Sequence, residues 1–280
     1  MKIGLCLGGG GSRGYAHIGA IRALTEAGIK IDIVNGTSIG AIMGGMYALY
    51  PDVDTMTVLV KKVVDSVRVN HFNLFRHSSE GPAFLRSWLN EAVCDVAALK
   101  KSIQSNKNTV KALELIFDQR RFEDTKIPFS AIATDIMAGE TVIIKRGKLI
   151  DGILASAAIP AIFPPVMRGK KVLVDGYVLA NIPVPQLRSQ GADFIISVGL
   201  LDNPSSSYQN GVDLLYYVES LKQKRLEQWA IAQSDFHISV DMSQFDSSHF
   251  ENYLTAIEKG YRTTQQVIPQ LLAKLEQAHV

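Results

Sequence analysis

Ser38 lies at the centre of segment 36–40, GTSIG, which fits the pattern G-x-S-x-G. Small residues on both sides of a serine permit the strained strand-to-helix turn that exposes its Oγ as a nucleophile. Segment 10–14, GGSRG, fits the same pattern. We place the nucleophile at Ser38 because it follows its predicted strand after only a few residues, whereas the earlier serine follows four glycines. Gly36 and Gly40 would then form the nucleophile elbow.

A glycine loop, residues 8–11 followed by Ser-Arg-Gly, lies between a predicted strand and a predicted helix. Glycines let backbone N–H groups approach an anion, and beside a serine nucleophile they can supply an oxyanion hole. Two alternatives stay open, a purely structural turn and a dinucleotide site, because Gly9, Gly11 and Gly14 also satisfy G-x-G-x-x-G. The dinucleotide fingerprint requires an acid at the end of the second strand, whereas Asp32 stands at its start.

Asp175 is the candidate general base. A serine at its ordinary pKa needs a partner that takes its proton, and none of the six histidines follows a late strand as a triad histidine does. The early position of His17 in the first helix favours a packed or surface histidine. Asp175 ends the apolar run 172–174 and precedes a glycine. Burial there would raise its pKa toward the working range of a base, although an ordinary Asp-Gly turn remains the alternative.

The elements that must position these residues alternate between short apolar runs and longer amphipathic segments, which predicts an α/β fold. The predicted strands are residues 3–7, 31–34, 129–134, 141–145, 172–174, 194–198 and 236–240. The predicted helices are residues 15–27, a helix from the serine turn to 48, most of 52–118, 149–158, 211–232 and 250–278. Because the candidate site draws on both early and middle segments, we expect one catalytic domain, 2–200, with a carboxy-terminal α/β extension, 201–280, packed on it.

Composition excludes several classes of protein. The chain has 280 residues and is 47% hydrophobic, a composition typical of a globular protein. Its net charge is +2, and it has no dense basic tract that would bind nucleic acid. Two cysteines form no disulfide framework or metal motif. The sequence shows no secretory leader and no run of roughly 18 uncharged apolar residues for a transmembrane helix. These features predict a cytoplasmic protein, and they leave its oligomeric state open.

The order of these motifs resembles the patatin-like phospholipase family, and its compact bacterial members most. The resemblance covers residues 2–200. It rests on the glycine loop with Arg13, segment 17–19 (HIG), segment 36–40, Ala131 with Thr134 and Asp135, segment 155–160 (ASAAIP), segment 163–166 (FPPV), Asp175 with Gly176, and segment 181–184 (NIPV).

The resemblance implies a three-layer α/β/α sandwich of the patatin type with a mostly parallel central sheet. It also implies a serine lipid acyl hydrolase, a phospholipase A, lysophospholipase or carboxylesterase, that needs no metal or organic cofactor. Ser38 would be the nucleophile and Asp175 the base of a catalytic dyad. The oxyanion hole would be formed by the loop residues Gly9, Gly10, Gly11 and Arg13. Tyr177 stands where the family usually has Gly or Ala, and we expect it to crowd the base or to line the substrate channel.

The predicted partner is a lipid or ester substrate. Segment 61–77 interleaves Lys61, Lys62, Arg68 and Arg76 with apolar residues. Such a flap would make peripheral contact with the inner face of a membrane, although an ordinary surface helix is the simpler interpretation. Two other function classes are alternatives to the hydrolase, a non-catalytic lipid-binding or regulatory protein on the same scaffold, and a nucleotide-binding oxidoreductase.

Overall fold

The structure, a computed structural model, describes residues 1–69, 105–201, 211–245 and 252–278. The strands in these ranges are β1 (Ile3–Leu7), β2 (Ile33–Thr37), β3 (Phe129–Asp135), β4 (Glu140–Ile144), β5 (Val166–Arg168), β6 (Lys171–Asp175), β7 (Phe194–Leu201) and β8 (Phe236–Asp241). The helices in these ranges are α1 (Ala16–Glu26), α2 (Ile39–Leu49), α3 (Val53–Val69), α4 (Lys107–Phe117), α5 (Leu149–Ser156), α6 (Tyr177–Ala180), α7 (Val184–Arg188), α8 (Gly211–Ile231) and α9 (Tyr253–Ala278). Short 3-10 helices lie at Gly11–Tyr15 and Phe122–Asp124.

The strands form one sheet in the order β5-β6-β3-β2-β1-β7-β8, with β4 also paired to β3. The central strands β3, β2, β1, β7 and β8 pair in parallel. The pairings of β4, β5 and β6 are antiparallel. Parallel neighbours require crossover connections, which the helices between these strands provide. The predicted α/β class, with a mostly parallel centre, is confirmed.

Two apolar cores lie on opposite faces of the sheet. Leu5 and Leu7 of β1 belong to the larger core, which also contains residues of α1 to α5 and α9. Cys6, between them, belongs to a smaller core that contains Val184 and Leu187 of α7. Because successive side chains of a strand point to opposite faces, helices must cover both sides of the sheet. The result is the expected three-layer α/β/α sandwich.

β2 and β6 lie end to end along one edge of β3. Thr37 of β2 faces Ile132, and Asp175 of β6 faces Ala133, the next residue of β3. The other edge of β3 is occupied by β4, which pairs with residues 131–135. Since β2 runs parallel to β3 and β6 runs antiparallel, their carboxyl ends meet. Asp175 is thereby brought next to the turn that follows Thr37.

The chain beyond residue 200 adds to the same sheet and the same core. β8 pairs in parallel with β7, and α9 packs along α1. Two glycines make that helix contact close. A Cβ on Gly260 would lie 2.0 Å from the Ala16 carbonyl oxygen, and one on Gly19 would lie 1.9 Å from that of Ile257. Only glycine allows backbones to approach so closely.

The short strand β2 differs from the predicted strand 31–34, since it begins at Ile33 and ends at Thr37. Asn35-Gly36 is typical of a turn, yet here it continues the strand, and the side-chain N–H of Asn35 is bonded inside the protein. Asn35 Nδ2 donates to the Pro183 carbonyl at 2.8 Å, and Thr37 Oγ1 donates to the Ala180 carbonyl at 2.7 Å. Three further short elements, β5, α6 and α7, were not predicted.

Candidate active site

Ser38 occupies a strained turn between β2 and α2. Its backbone has φ 55° and ψ −123°, a region that costs a non-glycine residue about 1–3 kcal/mol. Glycines on both sides make the turn possible. A Cβ on Gly36 would lie 2.2 Å from the Gly40 carbonyl oxygen, and a Cβ on Gly40 would lie 2.2 Å from that of Leu7. Segment 36–40 is therefore a tight strand-to-helix turn that places no side chain larger than hydrogen at residues 36 and 40.

Ser156, the last residue of α5, is hydrogen-bonded to the backbone of this turn. The Ser38 backbone N–H donates to Ser156 Oγ at 3.0 Å, and the Ser156 hydroxyl donates to the Ile132 carbonyl at 2.5 Å. Ser156 is fully buried, so both bonds are shielded from water. Sequence reasoning gave Ser156 no role, and its place in a run of small residues ahead of Pro160 was the only available signal.

Hydrogen bonding by the Ser38 side chain lowers the pKa of the Asp175 carboxyl. The Tyr177 backbone N–H donates to Asp175 Oδ1 at 2.8 Å. The side chain is 2% exposed. Burial disfavours the charged carboxylate and raises the pKa of Asp175 to about 7, although the two hydrogen bonds lower it. At neutral pH this carboxyl is therefore poised to accept a proton from Ser38 Oγ.

The glycine loop lies directly beside Ser38. A Cβ on Gly9 would lie 3.3 Å from Ser38 Cβ. The Gly9 N–H is already engaged, since it donates to Asn181 Oδ1 at 2.9 Å and to the Asn181 carbonyl at 3.3 Å. Within the described residues, no backbone carbonyl accepts from the N–H of Gly10 or Gly11, and both residues have positive φ. These two groups are therefore the loop donors open to an oxyanion.

Arg13 and His17 hold the loop through its carbonyl groups. Arg13 Nε donates to the Gly10 carbonyl at 3.1 Å. His17 Nε2 lies 2.7 Å from the Gly8 carbonyl oxygen, so it carries the proton and donates. Burial lowers the pKa of His17 to about 4, which keeps the ring neutral at physiological pH. The packed interpretation of His17 agrees with this position, and Arg13 contacts the loop backbone.

Tyr177 begins α6, which lies between Asp175 and the residue that contacts the glycine loop. Its backbone N–H binds Asp175, and its side chain is 39% exposed. At the other end of α6, Asn181 binds Gly9. Helix α8 holds both ends, since Gln223 Nε2 donates to the Tyr177 carbonyl and Asn181 Nδ2 donates to Glu227. Asn181 and its partners in α8 escaped the sequence reasoning because they depend on contacts across 46 residues or more.

The dinucleotide alternative does not fit this geometry. The acid of that fingerprint belongs at the carboxyl end of β2, where the structure has Thr37 and then Ser38. Asp32 lies at the opposite end, where its Oδ2 accepts from the Ile3 backbone N–H at 2.9 Å. Among the described residues, no three side chains of His, Cys, Asp or Glu come together as metal ligands.

The predicted flap, segment 61–77, falls largely outside the described residues. Residues 61–69 belong to α3, where Lys61 forms an ion pair with Asp65 at 2.6 Å. Residues 70–77 lie in a range that the structure does not describe, as do His249, His279 and Cys94. No helix in the described part of the chain is long and apolar enough to cross a membrane.

Fold and site together have the form of an α/β/α protein with a serine on a sharp strand-to-helix turn. The model of the patatin-like phospholipase family matches residues 5–188. The chain belongs to this family, as its motifs led us to expect.

Two curated relatives show how the match is distributed. Lysophospholipase NTE1 of Mycosarcoma maydis is 28% identical over 297 residues, which cover 96% of this chain and 15% of that protein. Patatin-like phospholipase domain-containing protein 6 of Homo sapiens is 30% identical over 241 residues, covering 81% of this chain and 15% of that protein. The chain thus matches only a small part of the length of these relatives.

Solved structures share the fold at low identity. VipD from Legionella pneumophila aligns over 96% of this chain and 67% of its own, with TM-score 0.53 and 16% identity. Human GIVD cytosolic phospholipase A2, in complex with methyl gamma-linolenyl fluorophosphonate, aligns over 99% of this chain and 59% of its own, with TM-score 0.53 and 12% identity. These similarities support the patatin-type α/β/α fold.

Proposed function

We propose that this protein is a serine lipid acyl hydrolase that uses Ser38 and Asp175 as a catalytic dyad. The observation that carries the proposal is the strand register that places the buried Asp175 beside the strained Ser38 turn, where hydrogen bonding by the Ser38 side chain lowers the pKa of Asp175, next to two N–H groups of the glycine loop. A strained serine, a neighbouring base and oxyanion donors are the three parts that acyl transfer requires. Family membership supports a lipid substrate.

In the proposed reaction, Asp175 takes the proton of Ser38 as Oγ bonds to the ester carbonyl carbon. The N–H groups of Gly10 and Gly11 stabilise the negative charge on the carbonyl oxygen. Asp175 returns the proton to the leaving alcohol as the ester bond breaks, which leaves an acyl group on Ser38. Water then attacks this acyl-enzyme and gives a proton to Asp175. The bond from the acyl carbon to Ser38 Oγ breaks, Asp175 returns the proton to Oγ, and the carboxylic acid is released.

Substitution Ser38→Ala tests the nucleophile. We expect hydrolysis of p-nitrophenyl butyrate to fall at least about a thousandfold, because no other group can form the acyl-enzyme. A fluorophosphonate probe should label the unsubstituted protein and fail to label this variant. Matching thermal unfolding and circular dichroism would show that the fold is intact.

Two control variants make this result specific. Ser189→Ala, an exposed serine, is expected to keep full activity. Ser12→Ala tests the second G-x-S-x-G match, and activity lost there but kept in Ser38→Ala would overturn the assignment. No turnover and no probe labelling of the unsubstituted protein would favour the non-catalytic lipid-binding alternative.

The cytoplasmic location suggested by the cysteine content belongs to the same proposal. Fractionation of cells that produce the protein tests it, since the proposal requires the protein in the cytoplasm or on the cytoplasmic side of the membrane. Recovery from the medium would contradict it.

A further inference from the structure

Helix α8 carries an apolar stripe on its outer face. Leu215 is 72% exposed and Trp229 is 61% exposed. The stripe consists of Leu214, Leu215, Val218, Leu221, Leu226 and Trp229, all exposed. At 100° per residue these positions fall on one side of the helix, opposite Gln223 and Glu227, and they extend over about 22 Å. A continuous exposed apolar surface of this length marks a site of interaction.

Positive charge lies within the α8 stripe. Lys222 and Arg225 fall on the same side of the helix as Val218 and Trp229 at helical spacing. Of the nearby acids, Glu219 lies at the margin of the stripe and pairs with Lys222 at 2.9 Å, while Glu227 is turned inward to Asn181. The outward face therefore combines long apolar side chains with cations, a composition that suits a surface both apolar and anionic.

The first half of α8, residues 211–222, lies at the same edge of the sheet as Ser38, the edge formed by the carboxyl ends of the parallel strands. β7 ends at Leu201 on the carboxyl edge, and α8 must return to the opposite edge because β8 runs parallel to β7. Gln223 contacts Tyr177, which adjoins the base. Residues 211–222, before Gln223, therefore extend about 18 Å beyond the carboxyl edge of the sheet, at which Ser38 lies.

We propose that the α8 stripe is the surface by which this protein docks on an anionic lipid bilayer. Leucines with lysine and arginine among them, and an indole at one end, are typical of helices that lie in a lipid interface. A second copy of this chain is a poorer occupant. Lys222 and Arg225 lie near the middle of the stripe, so a two-fold pairing would place the cations of both copies against one another.

Docking through α8 would bring the sheet edge that carries Ser38 to the lipid surface. Only this consequence rests on the proposed function. Binding itself does not need catalysis. We therefore carry out the binding test on Ser38→Ala protein, which does not consume the vesicles. Loss of binding and loss of hydrolysis are then separate results.

The first experiment measures co-sedimentation with phosphatidylcholine vesicles, with and without phosphatidylglycerol. We expect phosphatidylglycerol to strengthen binding, and Leu215→Ser with Leu221→Ser to weaken it by about a hundredfold. Lys222→Glu with Arg225→Glu should remove the preference for phosphatidylglycerol. The matched control is Leu115→Ser, since Leu115 is an equally apolar side chain, 46% exposed on α4, and its loss should change nothing.

A second experiment uses Trp229 as the reporter. The chain contains two tryptophans, so Trp88→Phe leaves Trp229 as the single one. We expect emission typical of an exposed indole in buffer, a blue shift on adding anionic vesicles, and quenching by brominated lipid. An emission already blue-shifted in buffer would mean that the stripe is covered within the protein, and would overturn the proposal.

Two other results would also overturn it. One is vesicle binding that is unchanged in the Leu215→Ser, Leu221→Ser variant. The other is a dimer in light scattering that this variant converts to monomer while vesicles fail to bind the unsubstituted protein. That outcome would assign the stripe to contact between two copies of the chain.

Discussion

Asp175, the proposed base, occupies a position that costs the protein stability. Its carboxyl is buried, and hydrogen bonding from Ser38 and from the Tyr177 backbone N–H offsets only part of the cost of burial. The ionised form is therefore poorly solvated, which raises the pKa to about 7. An ionisable group at this position lowers the stability of the fold, so stability does not explain why the residue is an aspartate.

Substitution Asp175→Asn tests this trade-off. The pKa of Asp175 is raised from 3.8 to about 7, so between these values the folded state binds more protons than the unfolded state. In the unsubstituted protein the free energy of unfolding should therefore fall as pH rises through this range. In the Asp175→Asn variant it should not fall. We expect the variant to be more stable above pH ~7 by the order of 2–4 kcal/mol, to lose this advantage below pH ~4, and to be inactive.

Urea unfolding over a series of pH values measures the difference. Asp151→Asn, at an exposed position, is the control and should keep the pH dependence of the unsubstituted protein. A stability difference that is the same at both ends of the pH range would show that Asp175 does not titrate as described. The same pKa predicts that ester hydrolysis by the unsubstituted protein declines as pH falls below about 7.

At the scale of elements, the short helix α6 links three parts of the site. Its first residue, Tyr177, binds the base, and Asn181 after its end binds the glycine loop. On its outer side α8 holds it through Gln223 and Glu227, one helical turn apart. A helix of one turn has little stability of its own, so its position depends on these contacts.

Removal of the Asn181 side chain should disturb the oxyanion donors and leave the nucleophile in place. We expect Asn181→Ala to lower kcat for p-nitrophenyl butyrate by about 10–100-fold with little change in KM, because the neighbouring N–H groups of Gly10 and Gly11 lose their alignment. Glu227→Gln keeps a hydrogen-bond acceptor for Asn181 and should have a much smaller effect. A wild-type kcat in Asn181→Ala would remove Asn181 from the positioning of the loop.

At the scale of the whole molecule, the chain beyond residue 200 closes the structure that the earlier part begins. β8 covers the edge of β7, and α9 covers α1, the helix that starts beside the glycine loop. Leu271 and Leu275 of α9 belong to the same core as Leu5 and Leu7. We therefore propose that residues 2–200 and 201–280 unfold as one unit.

Equilibrium unfolding in urea tests this unity. Circular dichroism reports all helices, whereas hydrogen exchange of peptides from α8 and α9 reports the carboxy-terminal part alone. The two signals should follow one coincident transition. A first transition seen only in the exchange of α8 and α9 would instead show that the carboxy-terminal part unfolds separately.

Residues whose roles depend on neighbours in sequence could be predicted, and residues that act across the fold could not. Ser38 was recognisable because the glycines that permit its turn stand two positions away on each side. Asp175 could be proposed from its apolar strand, but its distance from Ser38 could not. Asn181 and Ser156 lie in segments that support the family resemblance, but their hydrogen bonds could not be predicted, since their partners lie 172 and 118 positions away along the chain.

Because β2 and β6 both pair with the same edge of β3, β3 fixes the spacing of the two catalytic candidates. Thr37 and Asp175 pair with adjacent residues of β3, Ile132 and Ala133. The separation of Ser38 from Asp175 is therefore set by strand register, and the length of chain between them does not enter it. Evolution can lengthen, shorten or replace the helices and loops that lie between β2 and β3 while the reacting atoms keep their spacing.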